Sequence, residues 1–180
     1  SYNYFLNSNQ NEPFIKYDCQ DKYIIIYNGY LTNKKELKCK LRTLGYQFKT
    51  DLDEEIIIDA YIYYKENAFN YLKGYYSFAI IGNNKIILVR DKIGGKSLFY
   101  TNNDYLIFSN EIKTLLNSKL VEPIVNDEGL KELFALGPSS TPSLTPFKDI
   151  KKLNSGEYLI YENNEISIEK YYKLPILRYN

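Results

Sequence analysis

Asn28-Gly29 stands in the stretch YIIIYNGYLTNKKEL, between an apolar run and a charged segment that begins at Asn33. Two chemistries fit the pair. Asn-Gly can close an ordinary turn, because both residues tolerate positive φ. Alternatively, a side-chain amide and a backbone N–H can serve as two donors aimed at a ligand. From these two residues alone, the turn is the default. Asp53 opens a helical pattern, where a carboxylate caps free N–H groups. Other reactive side chains are sparse. The chain has no His, so Cys-His and Ser-His pairs and histidine metal sites are excluded. Cys19 and Cys39 are too few for a zinc site, and no metal is expected. The glycines of DKIGGK lack the spacing of a phosphate-binding loop.

The whole chain sets the frame for these residues. Its 180 residues suffice for one domain with a core, and 44% hydrophobic with 25% charged residues describes a globular protein. No apolar run approaches the ~18 residues of a membrane span, and the N-terminus has no signal-peptide pattern, so no membrane partner is expected. A net charge of +1 with scattered lysines argues against nucleic acid as a partner. Two cysteines suggest no disulfide framework, and a cytoplasmic, reduced setting fits. Twenty tyrosines could be stacking platforms, but enrichment together with Asn, Ile and Lys is better explained by AT-rich coding DNA. There is no Met, so the start is processed or the chain is part of something longer.

The positioning elements follow from periodicity. Residues 22–27 read as a buried strand ended by Asn28-Gly29. A helix follows, capped by Asn33 with Glu36 completing a capping box, with Leu37, Leu41 and Leu44 as its stripe and Gly45 as its stop. YQFKT reads as a short strand, and 53–65 as a helix with Ile56, Ile57, Ala60, Tyr61 and Tyr64 on one side. YYSFAII-GNNK-IILVRD and SLFYTNNDYLIFS read as hairpins, as does EYLIYENNEISIEKYYKL. Short helices are expected at 111–117 and at 128–136, the latter capped by Asp127; GPSSTPSLTPF is an irregular loop. Hairpins with amphipathic helices imply antiparallel sheets covered by helices, an α+β fold.

Six segments, in order, resemble the glutaminase domain of asparagine synthetase, a class II glutamine amidotransferase with an N-terminal nucleophile. They are YNGYLTNKKEL, TDLDEEII, LKGYYSFAI, LVRDKIGGKSLFY, FSNEIKTLL and IKKLNSGEYLIY. FSNEIKTLL and IKKLNSGEY point away from the phosphoribosyl-pyrophosphate and fructose-6-phosphate amidotransferases. The resemblance implies a four-layer α-β-β-α sandwich of antiparallel sheets, Ntn-hydrolase-like and incomplete at its N-terminus. It implies a domain over 1–172, with 173–180 leading toward an ATP-dependent synthetase domain absent from this chain.

By the same resemblance, Asn28 and Gly29 form an oxyanion hole, and Asp53 holds the α-ammonium of glutamine. The nucleophile is an N-terminal Cys thiolate whose own α-amine is the base. Released ammonia passes to the synthetase domain of the same polypeptide, which uses ATP and Mg; no cofactor is implied in this domain. A homodimer is an open alternative. Arg90-Asp91 matches a characteristic motif and takes a loop-fixing role, while Asn110 and Glu111 cap a helix. The departures are informative. The family's leading Cys-Gly-Ile and its carboxylate-binding Arg are not in the chain, and Ser97 and Asn154 replace family prolines. Tyr30 stands where the family has Glu beside the glutamine α-amine, and a phenol supplies no charge at neutral pH. The alternative function is a vestigial amidotransferase-like domain that packs on a synthetase domain, as in β-lactam synthetases. On either reading these 180 residues should release no glutamate from glutamine by themselves; glutamate above a no-protein control contradicts that expectation.

Overall fold

The computed structural model describes residues 13–136, 141 and 143–174. Strands β1 (Phe14–Asp18) and β2 (Asp21–Leu31) form a hairpin, followed by helices α1 (Lys34–Thr43) and α2 (Asp53–Tyr64). A 3-10 turn, Lys65–Asn67, and the short α3 (Ala68–Tyr71) lead into the hairpin β3 (Gly74–Gly82)–β4 (Lys85–Arg90). Then come β5 (Phe99–Asn102), β6 (Leu106–Ser109), α4 (Ile112–Asn117) and α5 (Asp127–Leu136). The short β7 (Lys151–Lys152) and the hairpin β8 (Glu157–Glu162)–β9 (Glu165–Lys170) complete the order.

Among the described residues the strands form two antiparallel sheets, β1-β2-β3-β4-β8-β9 and β6-β5-β7. Period-two alternation sorts their side chains into successive layers. Tyr23 and Ile25 of β2, Phe78 and Ile80 of β3, and Ile87 and Val89 of β4 pack with Leu37 and Leu41 of α1 and the isoleucines of α2. The opposite face supplies Ala79, Leu88 and Leu159, which meet Leu98, Tyr100 and Phe108 of the second-sheet region. Phe99 and Ile107, on that sheet's far side, pack on Leu115 and Ile112 of α4. The result is the α-β-β-α order.

Several local expectations change. Strand β1 was not anticipated because its helix-facing row includes Lys16, which breaks the apolar alternation; Lys16 pairs with Asp59, fully buried on α2. Strand β2 does not stop at Asn28-Gly29 but runs to Leu31, paired to β3 through Leu31↔Gly74. Residues 46–50 are not a strand. Two of their N–H groups go to a carboxylate instead, Lys49 N to Glu55 Oε1 (2.9 Å) and Thr50 N to Glu55 Oε2 (2.7 Å). Burial opposes the charge on Glu55, but these bonds outweigh it and hold its pKa below the usual value. Asn33 forms no capping box: its amide donates to Tyr71 O (2.9 Å) and accepts from Lys73 N (3.0 Å). Helix α5 begins at Asp127, and its free Glu128 N–H donates to Asn126 Oδ1 (3.2 Å), so Asn126 is the cap. Leu44 is exposed rather than part of the α1 stripe. The proline loop lies partly outside the described residues (137–140 and Pro142), as do 175–180 of the expected linker and 1–12.

Tyrosines serve the core. Tyr23, Tyr61 and Tyr76 are buried, and Tyr61 stacks on Phe69 with centroids 6.2 Å apart. Tyr171 Oη donates to Arg90 O (2.6 Å), so Tyr76 Oη must donate to Tyr171 Oη (3.3 Å). The Asp59 carboxylate has no described polar partner besides Lys16. Lys16→Ala should therefore lower stability by about 3–5 kcal/mol, whereas Lys16→Met with Asp59→Leu together should restore most of it. Urea unfolding of the two variants checks this.

Candidate active site

Two hydrogen bonds fix the phase of the β2–β3 ladder. Thr32 N donates to Lys73 O (2.8 Å), and Asp91 N donates to Tyr76 O (2.9 Å). With Asn28 opposite Ser77 and Gly29 opposite Tyr76, Asn28 and Tyr30 turn their backbone groups toward β3. Gly29 and Leu31 turn theirs the other way. On that side β1 ends its pairing at Phe14↔Ile25, so among the described residues Gly29 N–H faces no strand. Leu31 N–H faces the same edge, and there it donates to Asp53 Oδ2 at 2.7 Å. The two N–H groups are about 6.6–6.8 Å apart along the strand.

Glycine is required at 29 by space and conformation. Its φ is +150°, and a Cβ there would lie 2.1 Å from Tyr75 O. Gly74, diagonal to it, has φ +151° and would place a Cβ 2.2 Å from Tyr30 O. The Asn-Gly pair is thus the close contact between two strands, not a turn. The side chain of Asn28 projects from the sheet face opposite α1 and α2. It is exposed and makes no hydrogen bond to any described residue. Tyr30 projects from the same face, half-exposed, and packs on Tyr75 with centroids 5.4 Å apart.

Asp53 is the first residue of α2; the N-cap position belongs to Leu52, and Asp53 makes no cap bond. Its side chain is 12% exposed and joins three elements. Besides Leu31 N, Oδ2 accepts from Tyr27 Oη (3.0 Å), and Oδ1 pairs with Lys34 Nζ (3.1 Å). Burial and then the Asp53 charge push the Tyr27 pKa up, so the phenol stays a donor. Lys34 also lies 3.4 Å from Asp51, which Lys38 holds at 2.9 Å. Burial acts to lower the Lys34 pKa, but the bonds to Asp53 and Asp51 outweigh it, leaving it above the ordinary lysine value.

Asn28, Gly29, Tyr30 and Asp53, the candidates from the sequence, all meet at one end of β2. Cys19 lies at the β1–β2 turn and Cys39 on α1, both free and exposed. Arg90 and Asp91 fix a loop. Arg90 donates to the carbonyls of Lys96, Leu153 and Gly94, while Asp91 accepts the N–H groups of Ile93, Gly95 and Lys96. Asp91 thereby takes the N–H groups that an anion at DKIGGK would need. Asn110 and Glu111 do not cap by side chain. Asn110 Nδ2 instead donates to Ser77 Oγ (2.6 Å) and Ser97 O (2.7 Å). Tyr27 and Lys34 were not foreseen. Tyr27 shares the face of Gly29 and Leu31 once the strand is extended. Lys34 carries a clearer signal: a cation in the first turn of a helix opposes the dipole and requires nearby acids.

Residues 6–172 match the family model described as a glutamine amidotransferase domain. The chain is 35% identical over 157 residues to glutamine-hydrolysing asparagine synthetase 3 of Bacillus subtilis (strain 168), covering 86% of this chain and 26% of that protein. It is 33% identical over 157 residues to asparagine synthetase 1 of the same organism, covering 85% of this chain and 24% of that one. The chain therefore spans about a quarter of these relatives. Among solved structures, glutamine phosphoribosylpyrophosphate amidotransferase from B. subtilis shares the fold, with a TM-score of 0.63 at 19% identity, over 89% of this chain and 32% of that one.

The two polar side chains should separate in stability measurements. Asn28→Ala, which removes no described side-chain hydrogen bond, should leave unfolding free energy within about 0.5 kcal/mol. Asp53→Ala orphans Leu31 N–H and should cost about 1–3 kcal/mol. Urea denaturation of each variant reads both.

Proposed function

The chain belongs to the glutamine amidotransferase family, and on that premise we propose that it is the glutaminase domain of a glutamine-hydrolysing asparagine synthetase. The observation that carries the proposal is a pair of donors at the end of β2 that no described residue engages. Gly29 N–H points out from the sheet edge, and the Asn28 amide on the adjoining face bonds no described residue. A side-chain carbonyl lying at that corner accepts both. Its carbon then becomes tetrahedral with the negative oxygen already held, without reorganisation of the site. Asp53, one N–H farther along the same edge, takes the α-ammonium; the distance from amide carbon to α-nitrogen in glutamine, about 5 Å from ordinary bond lengths, suits that spacing.

The nucleophile is a thiolate from a segment upstream of Ser1, since Cys19 and Cys39 are internal and cannot use their own α-amine as base. Sulfur bonds to the amide carbon and the C=O bond opens to the oxyanion. The C–N bond then breaks as the protonated α-amine returns a proton to nitrogen, and ammonia leaves. Water hydrolyses the thioester to glutamate and regenerates the thiol. The ammonia goes on to a synthetase region of the same polypeptide, where ATP and magnesium would serve the amidation of aspartate.

A second reading has its own support. Tyr30 packs on Tyr75 where a charged contact to the substrate would stand, and this favours a domain that kept the fold for packing against a synthetase region. N-terminal sequencing of the native protein decides between them. A mature Cys followed by Gly-Ile supports the glutaminase, and any other first residue supports the packing role. In a protein of native length, Asn28→Ala should then lower kcat about 10²–10³-fold with its fold intact; an unchanged kcat contradicts the role given to Asn28.

A further inference from the structure

Among the described residues the Asp53 carboxylate already holds a cation. Oδ2 is committed to Leu31 N–H and Tyr27 Oη, and Oδ1 to the Lys34 ammonium. We propose that Lys34 is a specificity-determining residue of this site: its ammonium stands in for the α-ammonium of an amino-acid ligand and must be exchanged for it. The proposal rests on Asp53 being the ammonium-binding carboxylate.

Three features support an exchange rather than a fixed structural pair. First, Lys34 opens α1, where the helix dipole disfavours a cation, so its position is maintained by carboxylates and not by its helix. Second, it has two acceptors at comparable distance, Asp53 at 3.1 Å and Asp51 at 3.4 Å. Third, these acceptors differ in setting. Asp53 is nearly covered, whereas the Asp51 side chain is 80% exposed and bonded by Lys38. When a ligand ammonium reaches Oδ1, Lys34 can turn to Asp51 without losing an ion pair. The covered carboxylate is then never left without a cation, which would be costly.

The exchange also sets specificity. A ligand with an α-ammonium replaces like with like. One without it leaves Lys34 in place and gains nothing from Asp53. Apparent affinity for an amino acid is the intrinsic affinity reduced by the fraction of molecules in which Lys34 has left Oδ1.

Calorimetric titration of the native-length protein with L-glutamate and with glutarate, which has the same two carboxylates without the α-amine, tests this. The readout is the ratio of the two affinities. Lys34→Gln should raise the preference for glutamate about two- to fivefold, the range set by partly exposed ion pairs. Lys34→Arg should keep the wild-type ratio, and Asp51→Asn should lower it by removing the second acceptor. Asp53→Asn, which retains an acceptor for Leu31 N–H, should abolish the preference. If Asp53→Asn abolishes it but Lys34→Gln leaves it unchanged, the exchange is overturned and the role of Asp53 stands. If Asp53→Asn also leaves the ratio unchanged, or if neither ligand binds, the role of Asp53 falls and the exchange falls with it.

Discussion

An N–H group at the edge of a sheet must find an acceptor or face water, and the site depends on how β2 meets that constraint. The strand continues from Ile26 to Leu31 beyond the last residue paired with β1. Of the three outward N–H groups on that stretch, those of Tyr27, Gly29 and Leu31, Leu31 is satisfied by Asp53 and Gly29 has no described partner. One edge thus holds a donor for an anion and, two residues away, a carboxylate for a cation. The arrangement needs β2 pressed against β3, and the glycines at 29 and 74 permit the approach.

The same carboxylate joins the elements around this edge. Asp53 ties the first turn of α2 to the end of β2 and to Tyr27, so the helix fixes the edge on which a ligand would lie. Asn28 differs in kind: no described residue bonds its amide, and its placement has no structural purpose visible in the fold. This contrast, one polar group committed to the scaffold and one uncommitted beside it, fits a catalytic donor next to a binding group. Tyr30 supplies the counterweight, because its ring meets Tyr75 instead of adding a charge. The family explains the fold and the motif order, while these side chains decide which member's chemistry is retained.

The fold was largely legible because most elements have clean signals: the β3–β4, β5–β6 and β8–β9 hairpins and helix α1 follow their apolar patterns, whereas α2 is buried on all sides from Glu55 to Tyr61 rather than along one stripe. The failures share a cause in charged groups that act inside the structure. Lys16 concealed β1 by occupying a buried row, and Glu55 drew the backbone of 49–50 away from a strand. Asn33, Asn110 and Asp127 have residue types that suggest caps, yet the first two reach distant elements and the third yields its place to Asn126. Motif order singled out Asn28, Gly29 and Asp53, which the fold gathers at one end of β2. The role of Asn-Gly as a strand contact was not legible, since dipeptide statistics favour a turn. Lys34 was hidden because its two acids follow in sequence only after the intervening helix.

The most direct measurement is a crystal structure of the native-length protein with L-glutamate, the product of the proposed hydrolysis. A side-chain carboxylate oxygen about 3 Å from both Gly29 N and Asn28 Nδ2, with the α-ammonium on Asp53, is the expected result. Glutamate bound away from the end of β2, or bound there with its side chain turned from Gly29, would contradict the assignment of this edge as the amide-hydrolysing site.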